Sequence, residues 1–185
     1  NAGLIVPSYS IPLAAPGALY QGLKWMLQPQ SPFYIKPRLN RKLLNWLWLF
    51  RGACSRRHVR QSIPVLHGLH SASLNLFVEL SNLEDLDFEL EKGGLLKLFK
   101  TNKGFESGIK EIHLTEEFGI KNRILQKNKL SDYLGELRTP AVGGAFMPHD
   151  AHLVPDRFVR QLARHIEKKG VRLRTGCEVL DFKAS

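Results

Sequence analysis

Residues 155–185 constrain the fold more than any other part of this 185-residue chain. Within residues 155–169, Phe158, Val159, Leu162, Ala163 and Ile166 recur at i, i+3 and i+4, the spacing of one apolar helix face. Pro155 suits a first helical turn, where its missing N–H costs nothing, and Gly170 stands where a left-handed cap belongs. Val171-Arg172-Leu173-Arg174 then alternates as a strand does, and residues 178–182 continue it. A helix running into a strand is half of a βαβ crossover, which needs a parallel neighbour. The pattern predicts one αβ unit over 151–185, with the other strands of its sheet elsewhere.

Ahead of this unit the chain reads as helices first and short strands later. Residues 16–27 form a short helical pattern, and 29–37 a proline-punctuated loop. Residues 40–54 read as a helix, and 56–83 as a second helical run with a break or kink at Pro64. The stretches 88–91 and 95–99 flank Lys92-Gly93-Gly94, a hairpin signal. Residues 105–117 are helical, 122–125 and 141–147 suit strands, and 131–134 suit a helical turn. The predicted class is α+β: helices plus a small, mostly antiparallel sheet over 1–150, with the αβ unit appended.

Charge is uneven along the chain. Lys24, Lys36, Arg38, Arg41, Lys42, Arg51, Arg56, Arg57 and Arg60 all precede the first carboxylate, Glu79, so +9 of the net +10 lies in the first 78 residues. Trp25, Trp46 and Trp48 lie there too. Cations beside indoles suit an anionic lipid surface, and they equally suit a solvated basic face. The longest apolar stretch, residues 43–50, contains Asn45 and is far short of the roughly 20 residues that span a bilayer. Any membrane contact is therefore expected to be peripheral. Cys54 and Cys177 form no CxxC pair and suit a reducing cytoplasm. A sequence pI of about 9.8 also fits a nucleic-acid-binding module. No recognition motif for RNA or DNA accompanies it, and the cations interleave with Trp and Leu on apparently buried helices, so no nucleic-acid partner is expected.

Single motifs say little. His149-Asp150-Ala151-His152 matches no standard metal spacing and reads as a polar turn. His67 and His70 share a helix face but lack a third ligand, so no metal is expected. Gly93-Gly94 and Gly143-Gly144 are not a GxGxxG, no Walker motif exists, and no nucleophile–base constellation designates a catalytic residue.

The succession of segments says more. Asn1-Ala2-Gly3, Pro12-Leu13-Ala14-Ala15-Pro16-Gly17, Leu23-Lys24-Trp25-Met26-Leu27 and Leu44-Asn45-Trp46-Leu47-Trp48 follow in order. Gly93-Gly94-Leu95-Leu96-Lys97-Leu98-Phe99-Lys100-Thr101 and Gly143-Gly144-Ala145-Phe146-Met147-Pro148-His149-Asp150 come later. This order resembles the flavin subunit of bacterial D-amino-acid dehydrogenases, within the D-amino-acid oxidase superfamily of FAD enzymes. The resemblance implies a central segment of a longer enzyme. A GxGxxG is expected before Asn1, further substrate-domain strands are expected after Ser185, and the segment alone is expected to retain FAD poorly.

By the same resemblance, residues 1–150 belong to the substrate-binding domain and 151–185 to a Rossmann-like FAD-binding domain. Residues 1–7 form a flavin-side loop, with Asn1, Ala2, Gly3, Leu4 and Ile5 beside the isoalloxazine ring. Small residues there let backbone N–H groups reach the ring's polar edge. Val179 is implied at the adenine end of FAD, and Tyr9 and Ser10 at the border of the substrate pocket. The implied reaction oxidises an amino acid at Cα to an imino acid. Electrons pass to a quinone-type acceptor, and the enzyme sits peripherally on the cytoplasmic membrane face. Two departures bear on the substrate. Leu4 stands where relatives often have a polar residue, and residues 148–156 look more like the glycine- and sarcosine-oxidase branch.

Overall fold

The computed structural model describes residues 3–18, 20, 22 and 40–181. The helical pattern at 16–27 lies largely outside them, as do Asn1, Ala2, Lys24, Trp25, Lys36 and Arg38. Helix α1 (Arg41–Ala53) starts where the Asn40 side chain accepts a hydrogen bond from the Lys42 N–H. Helix α2 (Arg56–Ser81) starts in the same way, with the Ser55 side chain accepting from His58. Of the break or kink expected at Pro64, the break does not occur, and α2 runs on through Pro64. Pro64 is exposed, so water can satisfy the carbonyl that the ring leaves without a partner. Nor is α1 a buried helix: none of its residues is buried.

The larger sheet is antiparallel, in the order β2 (Leu95–Phe99), β4 (Gly143–Met147), β3 (Arg123–Gln126). Leu95 faces Met147 across β2–β4, and Arg123 faces Phe146 across β3–β4. Helix α3 (Asn102–Glu116), capped by Thr101, lays Phe105 and Ile112 on Phe99, Ala145 and Met147. A Cβ on Gly143 would stand 2.6 Å from the Phe105 ring, so this glycine admits an aromatic side chain, not a phosphate. A 3-10 turn (Lys127–Lys129) and the short helix α4 (Ser131–Leu134) follow β3.

The expected hairpin does not form. Strand β2 pairs with β4, whereas Glu91 exchanges backbone hydrogen bonds with His152, at 2.8 and 3.0 Å. Burial decides this, because Leu86 and Phe88 anchor their segment in a different core. Gly94, at φ +78°, then redirects the chain from one sheet to the other.

That second core surrounds β1 (Leu4–Ile5) and β5 (Ala151–His152), paired antiparallel with Leu4 opposite His152 and Ile5 opposite Ala151. Helix α5 (Pro155–Lys168) closes over it through Phe158, whose ring lies 5.1 Å from those of Phe77 and Phe88. Gln161 binds both backbone groups of Asp87, at 2.5 and 2.7 Å. The strand expected after α5 does not form: residues 171–181 belong to no strand, and all are exposed. Alternation alone cannot make a strand where no neighbour offers backbone partners. No helix among the described residues is long and apolar enough to cross a membrane.

Candidate functional site

Two clefts flank the N-terminal segment. The first, about 510 Å³, is walled by residues 3–6, by His70, Ser73 and Phe77 of α2, and by Leu153, Pro155, Phe158 and Val159. Gly3 has φ +61°, and a Cβ there would stand 2.0 Å from the Leu153 carbonyl oxygen. The Leu153 N–H donates to the Gly3 carbonyl at 2.8 Å, so this close approach starts the β1–β5 pairing. Its small size therefore has a packing cause beside any ligand contact. The Nδ1 of His70, at this wall, is buried and has no hydrogen-bond partner among the described residues.

The second cleft, about 590 Å³, lies beyond the turn that follows β1, and Ser8, Tyr9, Lys97, Glu111, Asn122 and Met147 contribute to its lining. Lys97 Nζ stands 5.3 Å from the ring centroids of both Tyr9 and Phe99, and 3.6 Å from Glu111 Oε2. An ammonium beside a carboxylate complements a small zwitterion, whose carboxylate and amine need opposite partners. Gly108 keeps the wall thin, because a Cβ there would stand 2.3 Å from the Phe99 ring.

The turn between the clefts is held from several directions. Tyr9 N–H donates to the Val6 carbonyl at 3.0 Å. The Pro7 carbonyl accepts from the Ser10 hydroxyl at 2.7 Å and lies 3.0 Å from His67 Nδ1. Asp150, 1% exposed, accepts from the Ser8 N–H at 3.0 Å and from its hydroxyl at 2.5 Å. Burial pushes the Asp150 carboxyl above its usual range, while the Ser8 hydrogen bonds and the nearby His149 and His70 pull the other way.

Of the residues singled out from sequence, Gly3, Leu4 and Ile5 line the first cleft and Tyr9 lines the second. Ser10 is fully buried, with its hydroxyl turned to Pro7. Val179 is 68% exposed and lines neither cleft. The polar turn expected at 149–152 is instead partly strand, and its Asp150 is buried, not solvated, because Ser8 satisfies it. Asp150, His67, His70 and Lys97 carried no local signal: Ser8 and Asp150 are 142 positions apart, and His67 and Pro7 are 60 apart. Among the described residues, no group of three or more His, Cys, Asp or Glu is placed to hold a metal ion.

The family model described as DAO, FAD dependent oxidoreductase, matches residues 1–185. Among solved structures, the chain is similar to glycine oxidase from Geobacillus kaustophilus, with 21% identity and a TM-score of 0.47 over 55% of this chain and 27% of that one. Glycine oxidase from Bacillus cereus ATCC 14579 is similar at 15% identity and a TM-score of 0.49, over 55% and 29%. L-proline dehydrogenase from P. horikoshii is similar at 17% identity and a TM-score of 0.45, over 54% and 26%. The chain thus matches between 26% and 29% of the length of these structures. With its whole length matched by that model, the chain belongs to the DAO family of FAD-dependent oxidoreductases.

Proposed function

We propose that this chain forms part of the site at which an FAD-dependent enzyme oxidises the Cα–N bond of an amino acid. The substrate class is a D-amino acid or a cyclic or secondary amine, and the electron acceptor is of the quinone type. The observation that carries the reading is the pair of clefts on either side of one turn, apolar at residues 3–6 and charged at Lys97 and Glu111, beside the Tyr9 ring. The first cleft fits a flat conjugated ring. Phe77 and Phe158 give it apolar walls, residues 3–6 give it backbone, and His70 Nδ1 offers an uncommitted polar atom. FAD, held by residues 3–6 between Phe77 and Phe158, would supply a two-electron acceptor for a hydride equivalent from Cα, and hydrolysis of the imino acid would give the 2-oxo acid and release the nitrogen as ammonia or an amine.

The chain's own contribution is binding and orientation. Residues 3–6, preceded by Asn1 and Ala2, would lie against the ring, and the two phenylalanines would exclude water. Lys97 would take the substrate carboxylate and Tyr9 would cover it. Ser10 supports the turn from behind, and a role for Val179 toward the adenine end rests on sequence resemblance. In this reading residues 1–150 serve the substrate side and 151–185 the FAD side, meeting at β1–β5. The test uses the purified full-length protein with glycine, D-alanine and D-proline and an artificial dye. The expected result is FAD-dependent dye reduction that is faster than peroxide formation. Peroxide formation at an equal or greater rate would move the enzyme to the oxygen-using branch, and absence of FAD and of amine oxidation would overturn the reading.

A separate observation favours peripheral membrane contact on the cytoplasmic face. Helix α1 leaves Leu44 at 54% and Trp48 at 72% exposure, close in sequence to Arg41, Lys42 and Arg51. Each such cation contributes about 1 kcal/mol near an anionic bilayer, where a quinone would dissolve. Changing Arg41, Lys42 and Arg51 to glutamate should abolish sedimentation with anionic vesicles while dye turnover survives. Unchanged sedimentation would exclude this surface.

A further inference from the structure

Asp150 joins the turn separating the clefts to the start of the strand that carries Lys97. Asp150 grips Ser8 with both carboxylate oxygens, at 3.0 and 2.5 Å. Its backbone carbonyl accepts from the Gly94 N–H at 3.1 Å, one residue before β2 begins. Its own N–H points back to the Met147 carbonyl at 3.4 Å, and Met147 lines the second cleft. One residue thus ties together the wall that bears Tyr9, the strand that bears Lys97 and the floor between them.

We propose that Asp150 is a positioning residue for the amino-acid substrate, setting the distance between Tyr9 and Lys97 across the second cleft. The inference rests on the two-cleft reading above. Neither cleft counts Asp150 among its lining residues, so it reaches the second cleft through Ser8, the Gly94 N–H that leads into β2, and Met147. A buried carboxylate is a poor way to gain stability alone, since a well-packed apolar residue of similar volume often does as well or better. What it supplies is direction. Its two oxygens fix both the backbone and the side chain of Ser8, which an apolar contact would leave free to slide.

The test uses the full-length flavoprotein with whichever of glycine, D-alanine or D-proline the wild type oxidises. Asp150→Ala should raise KM about tenfold while kcat and the flavin spectrum change little, as expected when a hydrogen bond to a charged group is lost. Asp150→Asn keeps an acceptor for the Ser8 N–H and should restore KM to near the wild-type value. Ser8→Ala, which keeps the backbone bond, should raise KM by a smaller factor, and it carries the test if Asp150→Ala does not fold. Hydrogen exchange at the Ser8 and Tyr9 amides should quicken in Asp150→Ala without substrate. Wild-type KM in Asp150→Ala or Ser8→Ala would overturn the proposal, as would equal loss of flavin in the alanine and asparagine variants. A wild type that oxidises no amine would overturn the two-cleft reading and this inference with it, whereas an active wild type with an unmoved KM in the variants would overturn this inference alone.

Discussion

The two clefts share a wall and are built by opposite means. The first is backbone and rings: Gly3 against Leu153, and Phe77, Phe88 and Phe158 edge to face. The second is shaped by a half-exposed charged pair, Lys97 and Glu111, over an aromatic floor. The first is hard to change without moving the core, because Ile5 and Leu153 belong to that core and Phe77 and Phe158 pack against it. The second can change its charge while the sheet beneath stays folded. One cleft is thus suited to a fixed group and the other to a variable substrate.

The sharpest way to break this contrast is at Gly3. Gly3→Val adds left-handed strain to a collision with the Leu153 carbonyl and should cost about 3 kcal/mol or more, with loss of bound FAD. Denaturant unfolding and flavin content read both effects. Phe158→Ala opens the aromatic cluster and should cost about 2–4 kcal/mol, less than a fully buried ring because Phe158 is partly exposed. Lys97→Met should do the reverse, leaving stability within about 0.5 kcal/mol because the pair is solvent-screened. Its KM for the amino acid should rise about tenfold. A folding defect in Lys97→Met, or an unaffected fold in Gly3→Val, would erase the distinction between the clefts.

The smallest expected effect is a pH dependence at the shared wall. The folded Asp150 carboxyl titrates above its ordinary value of 3.8, so ionisation is disfavoured in the folded state. Stability from the protonated group is present below that ordinary value and falls as pH rises toward the raised one. Asp150→Asn lacks this fall. The Tm of the asparagine variant relative to wild type should therefore climb from acid toward neutral pH, and a flat difference would contradict the assignment.

Local signals in the chain proved readable where local chemistry decides. The helix read over residues 40–54 and the apolar stripe through Phe158 and Ile166 match α1 and α5 to within a residue or so. Helix α3 begins at Asn102 instead of Phe105 because the Thr101 side chain accepts from Gly104, a cap that apolar spacing does not register. Pairing is where reading by pattern runs out. The segment 88–91 looks like the partner of β2 until burial of Leu86 and Phe88 commits it to the other core. Residues 171–174 alternate well and still form no strand, since alternation marks a face and not a neighbour. The site divides similarly. The resemblance points to residues 3–5 and Tyr9, which line the two clefts, while Asp150, His67 and Lys97 acquire meaning only once distant segments meet.

The central claim is that residues 3–6 and the Phe77–Phe158 wall receive the flavin, and amide hydrogen exchange on the full-length protein tests it most directly. Adding FAD to the apoprotein should slow exchange at Leu4, Ile5, Val6, Phe158 and Val159. Exchange around the separate surface cleft at Leu130, Leu134 and Leu137 should stay unchanged. Protection absent from residues 4–6, or equal at both places, would contradict the account.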